Sequence, residues 1–166
     1  MKMKTKWVDA YMDTAFRFAK LSSARRLQVG AIAVKDDSII SIGYNGTPSG
    51  WDNNCEDEEV IEISTPDEAK ALLGNGWTVY FQEAKAKRLV TKPIVLHAEM
   101  NCLMKLAKSP MSSDGAILFL THSPCLNCAK AIYQAGIGQV YYGFDYRSRD
   151  GVDFLNQSKI KVKKVR

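Results

Sequence analysis

The stretch Ala116-Ile117-Leu118-Phe119-Leu120-Thr121, followed by Ser123-Pro124-Cys125-Leu126-Asn127-Cys128-Ala129-Lys130-Ala131-Ile132-Tyr133, reads as a strand running into a short helix that opens on two cysteines. Ser123 is placed to cap that helix, Pro124 suits its first turn and Gly136 its stop. Gln139 to Phe144 reads as the next strand, so the unit is strand, helix, strand, which argues for an α/β layer architecture.

Upstream, His97-Ala98-Glu99-Met100-Asn101-Cys102-Leu103-Met104-Lys105-Leu106-Ala107-Lys108 has helical periodicity and ends before Pro110. Further back, Val29 to Val34 and Ser38 to Asn45 flank Asp36-Asp37 and predict a β-hairpin. It runs into Gly43-Tyr44-Asn45-Gly46-Thr47-Pro48-Ser49-Gly50, a loop expected to leave backbone N–H groups available. Trp7, Tyr11, Ala15, Phe18 and Ala19 recur at helical spacing and predict an amphipathic helix with those residues as its core face. Downstream, Gly151 to Asn156 reads as a short helix. Lys159 to Val165 alternates with period two, as an edge strand whose lysines face water.

Between Trp51 and Leu96 the pattern weakens, and this span reads as an insertion at about residues 51–96 in a single domain spanning 1–166. A helix is predicted from Thr78 to Arg88. The acidic residues Asp52, Glu56, Asp57, Glu58, Glu59 and Glu62 show no regular ligand spacing, so they read as a solvated loop rather than a divalent-cation site.

With 166 residues, 46% of them hydrophobic, the chain has ordinary usage for one globular domain. A domain of this size hides roughly 68–70% of its unfolded surface and needs no disulfides. The 23 Lys and Arg against 18 Asp and Glu give +5, a bias compatible with an anionic ligand but not diagnostic of nucleic acid. No apolar run approaches the ~18 residues of a membrane span, and Met1 to Phe16 lacks a signal-peptide core, so a cytoplasmic protein is expected. In that compartment four cysteines favour metal binding or catalysis.

Pro124-Cys125-x-x-Cys128 alone fits a redox pair, half a structural zinc site or a buried accident. His97 and Glu99 at the start of another helix narrow the choice. Two sulfurs one helical turn apart and one neutral imidazole suit Zn²⁺, and no good fourth protein ligand stands in the motif, which is the pattern of a catalytic site. The helix N-terminus favours the thiolates, and Glu99 is the nearby non-ligand base. Residues two apart on a helix diverge, so His97 must sit at the helix mouth for both side chains to share one pocket. His122 and Cys102 read as structural, and Cys55 as lying in a polar loop.

His-x-Glu followed by Pro-Cys-x-x-Cys is the signature of zinc deaminases. Together with Arg26 to Ala31, the Gly43 to Gly50 loop, Ser123 to Lys130 and Asp145-Tyr146-Arg147, it makes the chain resemble the cytidine and deoxycytidylate deaminases, and the deoxycytidylate branch in particular, including phage forms. The resemblance covers nearly the whole chain. It implies a three-layer α/β/α sandwich around a mixed sheet of about five strands. It also implies hydrolytic deamination of dCMP to dUMP, supplying thymidylate synthesis.

Carried over position by position, it implies His97, Cys125 and Cys128 as ligands of one Zn²⁺ and Glu99 as the acid and base. Asn45 would hold a sugar hydroxyl, Gly46 and Thr47 would approach the nucleotide, and Ala98 and Tyr146 would line the pocket. Arg26 and Arg147 are the candidates for phosphate or effector contacts. Many such enzymes are homohexamers switched on by dCTP with Mg²⁺ and off by dTTP, so a homo-oligomer with such effectors is the family expectation, in the host cytoplasm if phage-encoded. Some carry a second zinc near the end of the first helix. Here Ala24 stands where a cysteine is usual and only Cys55 remains, so no second zinc is expected, with packing or hydrogen bonds holding that region instead.

The competing readings are a deaminase of another base or of a polynucleotide, of the tRNA adenosine or guanine type, and a non-catalytic zinc-stabilised nucleotide-binding regulator. The acidic insertion argues against the polynucleotide. A riboflavin-pathway deaminase would usually carry a reductase domain, and at 166 residues none is expected here.

Overall fold

A computed structural model describes residues 3–166. In chain order the elements are α1 (Thr5–Ala19), β1 (Gly30–Lys35), β2 (Ser38–Tyr44), β3 (Glu56–Glu62), α2 (Pro66–Leu72), β4 (Thr78–Tyr80), β5 (Lys85–Thr91), α3 (Ala98–Leu106), β6 (Ile117–His122), α4 (Leu126–Gln134), β7 (Gln139–Phe144), α5 (Asp150–Gln157) and β8 (Lys161–Lys164). The predicted hairpin forms. Asp36 and Asp37 make its two-residue turn, both at positive φ (48° and 58°), the conformation that matches the twist of the flanking strands.

Five strands form one mixed sheet in the order β2-β1-β6-β7-β8, with β1 antiparallel to both its neighbours and β6, β7 and β8 mutually parallel. Alternation along each strand sorts the core into two layers. Ala31, Ala33, Leu118, Leu120, Val140 and Tyr142 pack against α3, α4 and α5, whereas Ile32, Val34, Phe119 and Tyr141 pack against α1. This is the expected three-layer α/β/α sandwich, and the lysine-rich β8 is its edge. No helix among the described residues is long and apolar enough to cross a membrane.

Four expectations need correction. In α1 the buried face runs through Val8, Tyr11, Met12, Ala15 and Ala19, while Trp7 is 46% exposed and Phe18 only half-buried. The helical spacing of Trp7 with Tyr11 is real, but the helix is rotated so that Val8 and Met12 meet the sheet.

The helix predicted over Thr78–Arg88 is instead β4, a 3-10 turn at Phe81–Glu83, and β5, with Ala84 in the left-handed region (φ 50°) between them. The acidic stretch is not a loop but strand β3, the neighbour of β5 in a separate sheet ordered β3-β5-β4. Charge explains both departures. Basic β5 runs antiparallel to acidic β3, with Arg88 on Glu59 (2.6 Å) and Lys87 near Glu58 (3.7 Å), so cross-strand pairing overrides the helix propensity of Glu83 to Arg88.

The fourth correction concerns α4. Its N-cap is Cys125, not Ser123. Ser123 is buried, and its hydroxyl accepts from the Tyr146 N–H at 2.8 Å, tying the β6–α4 corner to the chain after β7.

Candidate active site

The N-termini of α3 and α4 meet beside the C-terminal end of β6, on the rim where open α/β sheets gather their ligands. His97 is the N-cap of α3, Cys125 the N-cap of α4, and Cys128 lies in the first turn of α4. Because His97 is outside the helix proper, its ring is released from the helical direction that Glu99 follows, and both reach the same pocket. The His97 Nδ1 stands 3.6 Å from the Cys125 Sγ and 3.4 Å from the Cys128 Sγ, and the three donor atoms lie within 4.8 Å of one another.

Two close approaches hold these helix mouths in place. A Cβ on Gly43 of β2 would fall 2.2 Å from the Ala98 carbonyl oxygen and 2.6 Å from the Cys102 nitrogen, so only glycine lets the first turn of α3 rest on the sheet. A Cβ on Gly151 of α5 would fall 2.0 Å from the Pro124 carbonyl oxygen and 2.9 Å from that of Cys125. The Asn101 side chain adds a hydrogen bond to the Tyr44 carbonyl at 2.9 Å.

The donor set fits zinc. Hydrogen bonds from Cys128 and His97 pull the Cys125 thiol down to about 3, while the bond to Cys125, with burial, pushes Cys128 up. The bond to Cys125 also pushes His97 up. These are three soft or borderline donors within 4.8 Å of one another, and a divalent cation among them would satisfy all three at once. Glu99, only 5% exposed, has its carboxyl pushed up by burial, with His97 and Cys128 pulling the other way. Burial thus favours the neutral form of this carboxyl.

These groups floor a cleft of about 330 Å³. Arg26, Asn45, Ala98, Tyr146 and Arg147 line it with His97, Glu99 and Cys125, while Cys128 lies behind, almost fully buried. Gly46 and Thr47 are not among the lining residues. The loop's N–H groups are also less available than expected, because Asn45 N–H donates to the Val29 carbonyl and Gly46 N–H to that of Leu96. The Asn45 amide accepts from Val29 N–H and donates to the Leu27 carbonyl, both at 2.8 Å, leaving one N–H and one lone pair for a ligand.

The cleft also contains residues that sequence reasoning passed over. His122, read as structural, lines it half-buried, with Nδ1 3.0 Å from the Thr121 hydroxyl and its pKa pushed down by burial. Glu56 and Thr91 reach it from β3 and β5. Nothing local distinguishes Glu56 from the acidic residues around it, since its burial arises from a partner some 30 residues away in sequence. Cys55 is fully buried in a small cluster with Ala24 and Val95, and its sulfur lies 3.3 Å from the Ser23 hydroxyl. Cys102 lies on the buried face of α3, in the core.

Comparison with known proteins adds three findings. A family model described as the cytidine and deoxycytidylate deaminase zinc-binding region matches residues 5–144. The deoxycytidylate deaminase of enterobacteria phage T4 is 32% identical over 165 residues, covering 91% of this chain and 86% of that protein. The crystal structure of the dCMP deaminase of cyanophage S-TIM5 in complex with dCMP and dUMP is 42% identical, covers 99% of this chain and 100% of the other, and has a TM-score of 0.77.

Proposed function

Because the chain belongs to the cytidine and deoxycytidylate deaminase zinc-binding family, we propose that it hydrolyses dCMP to dUMP and ammonia in this cleft. The observation that carries the reading is the convergence of His97, Cys125 and Cys128 beside a buried Glu99, in a cleft that also holds Arg26 and Arg147. The likeness to a cyanophage enzyme crystallised with dCMP and dUMP supports the choice of nucleotide.

His97, Cys125 and Cys128 would hold the ion, and zinc bound there supplies the Lewis acidity that makes water nucleophilic near neutral pH. Glu99 takes the proton that water loses on attacking C4 and delivers it to N3, then serves the departing amine. The balance is one water in, one C4–N bond broken, one C4–O bond formed and ammonia out. Burial keeps the Glu99 carboxyl competent for both transfers. Ala98 is the first residue of α3, where helix geometry leaves the N–H without an intrahelical acceptor and free to meet a polar edge of the base. Arg26 and Arg147 would meet the phosphate, the remaining N–H of Asn45 a sugar hydroxyl, and Tyr146 the wall of the base or sugar pocket.

The reading extends to a homo-oligomer, supported by large apolar side chains exposed on the insertion: Phe81 (71%), Trp51 (58%) and Leu73 (52%). It also extends to regulation by dCTP with Mg²⁺ and by dTTP. The deciding experiment follows the loss of cytosine absorbance when zinc-loaded protein is given dCMP, deoxycytidine or single-stranded DNA, with and without dCTP and Mg²⁺. Turnover of dCMP is expected. Turnover of another arm in preference to dCMP would reassign the substrate, and none in any arm would leave a binding protein.

A further inference from the structure

Glu56 is 2% exposed, although it begins a strand whose next four residues are all exposed. Its two carboxylate oxygens are divided between two successive backbone N–H groups. Oε2 accepts from Arg25 N–H and Oε1 from Arg26 N–H, each at 3.2 Å. The Arg25 side chain closes the arrangement, its Nε 3.6 Å from Oε2 and its Nη2 donating to the Glu56 carbonyl at 3.3 Å. Arg25 and Arg26 lie in the irregular segment between α1 and β1, outside any ladder, so the carboxylate satisfies donors that secondary structure leaves unpaired.

The other end of Arg26 is held from the same place. Its Nη1 donates to the Thr91 hydroxyl at 3.3 Å, and Thr91 is the cross-strand partner of Glu56 in the β3–β5 register. One strand pair of the insertion thus grips Arg26 by its backbone and by its guanidinium. The charges are apportioned as well. Arg25 and the two N–H groups offset the carboxylate, while the Arg26 guanidinium meets no carboxylate among the described residues and lines the cleft.

We propose that Glu56 is a positioning residue for substrate binding: with Thr91 it fixes Arg26 so that its charge meets the phosphate of the nucleotide, making the insertion the part of the chain that distinguishes a nucleotide from a nucleoside. This rests on the deamination of dCMP inferred above. An arginine oriented in advance forms its charge-assisted bonds without first losing side-chain freedom. The phosphate stays unchanged during attack at C4, so its binding is shared by ground and transition states and appears in KM rather than kcat.

The test is a double-mutant cycle read by steady-state kinetics on dCMP, with the dissociation constants of dUMP and deoxyuridine measured alongside. Glu56→Gln keeps the shape but turns one acceptor into a donor facing an N–H. It is expected to raise KM about tenfold and to change kcat by less than about twofold. It should also narrow the preference for dUMP over deoxyuridine. Arg26→Ala should do the same at least as strongly, and the double variant should be no worse than Arg26→Ala alone, because the two act through one contact. Thr91→Val disturbs no buried charge and serves if Glu56→Gln does not fold; it should raise KM about two- to threefold and have no effect once Arg26 is gone.

Additive effects, a fall in kcat at constant KM, or an unchanged preference for dUMP would overturn the proposal. A wild-type chain that fails to turn over dCMP would overturn the function itself, and that is seen before any variant is made.

Discussion

At the floor of the cleft, His97, Glu99 and Cys125, with Cys128 just behind them, come from the mouths of two helices packed on the central sheet. At the rim, Arg26, Glu56 and Thr91 come from an irregular link and a small separate sheet. The floor is held by backbone contacts so close that only hydrogen fits at Gly43 and Gly151. The rim is held by side-chain hydrogen bonds of 3.2–3.3 Å and by charge pairs open to water. Bond making tolerates little displacement of its groups, whereas a phosphate can be met by a long flexible cation, so under the proposed function the rigid part of the fold would carry the chemistry and the adaptable part the recognition.

The sharpest way to test that division is Glu99→Gln, which removes the proton carrier while sparing the three donor atoms. We expect kcat to fall about 10³-fold with one zinc per chain still bound, as measured by metal analysis. Lost zinc, or an unchanged rate, would mean that Glu99 is not separable from the floor in this way. Next in size is Gly151→Ala, whose methyl would push on the Pro124 and Cys125 carbonyls. A displacement of about 1 Å at the cysteine should cost about 10²-fold in kcat. The spectrum of cobalt substituted for zinc should change with it. Gly138→Ala, with no contact under 3.5 Å, should change neither.

These two tests bear on residues that could be picked out from sequence, because His-x-Glu and Cys-x-x-Cys are local patterns whose spacing already implies one turn of helix. The same holds for the hairpin at Asp36-Asp37 and for the alternating edge strand. Ser123 shows the limit of local reading. Its type and place suit a cap, yet the helix starts two residues later, because its hydroxyl is taken by the Tyr146 N–H.

Cys102 provides a third, intermediate test of how tightly the floor is packed. Burial pushes its thiol up to about 11. Its thiolate fraction at pH 8 should be about a hundredfold below that of an exposed cysteine, and its alkylation slower by at least that factor because the sulfur is also buried, rising with pH. Mass spectrometry of the folded protein after iodoacetamide reads this out; labelling at the free-thiol rate would show that α3 opens readily. The smallest effect belongs to the rim. Glu58→Ala breaks a solvent-screened pair with Lys87 and should cost at most about 0.5 kcal/mol in urea unfolding, with kcat unchanged.

The α/β layering, the hairpin, the two helix mouths and the candidate donor residues were all legible from sequence alone, since each rests on periodicity or spacing within single elements or between chain neighbours. Tertiary structure alone decided that Thr78 to Arg88 is turn and strand rather than helix, that Val8 and not Trp7 faces the sheet, and that Glu56 leaves an acidic run to grip Arg26. In each of these cases the winning interaction joins elements distant in sequence. Helix propensity differs by tenths of a kcal/mol per residue, and cross-strand charge, sheet burial and unpaired backbone donors outweigh it.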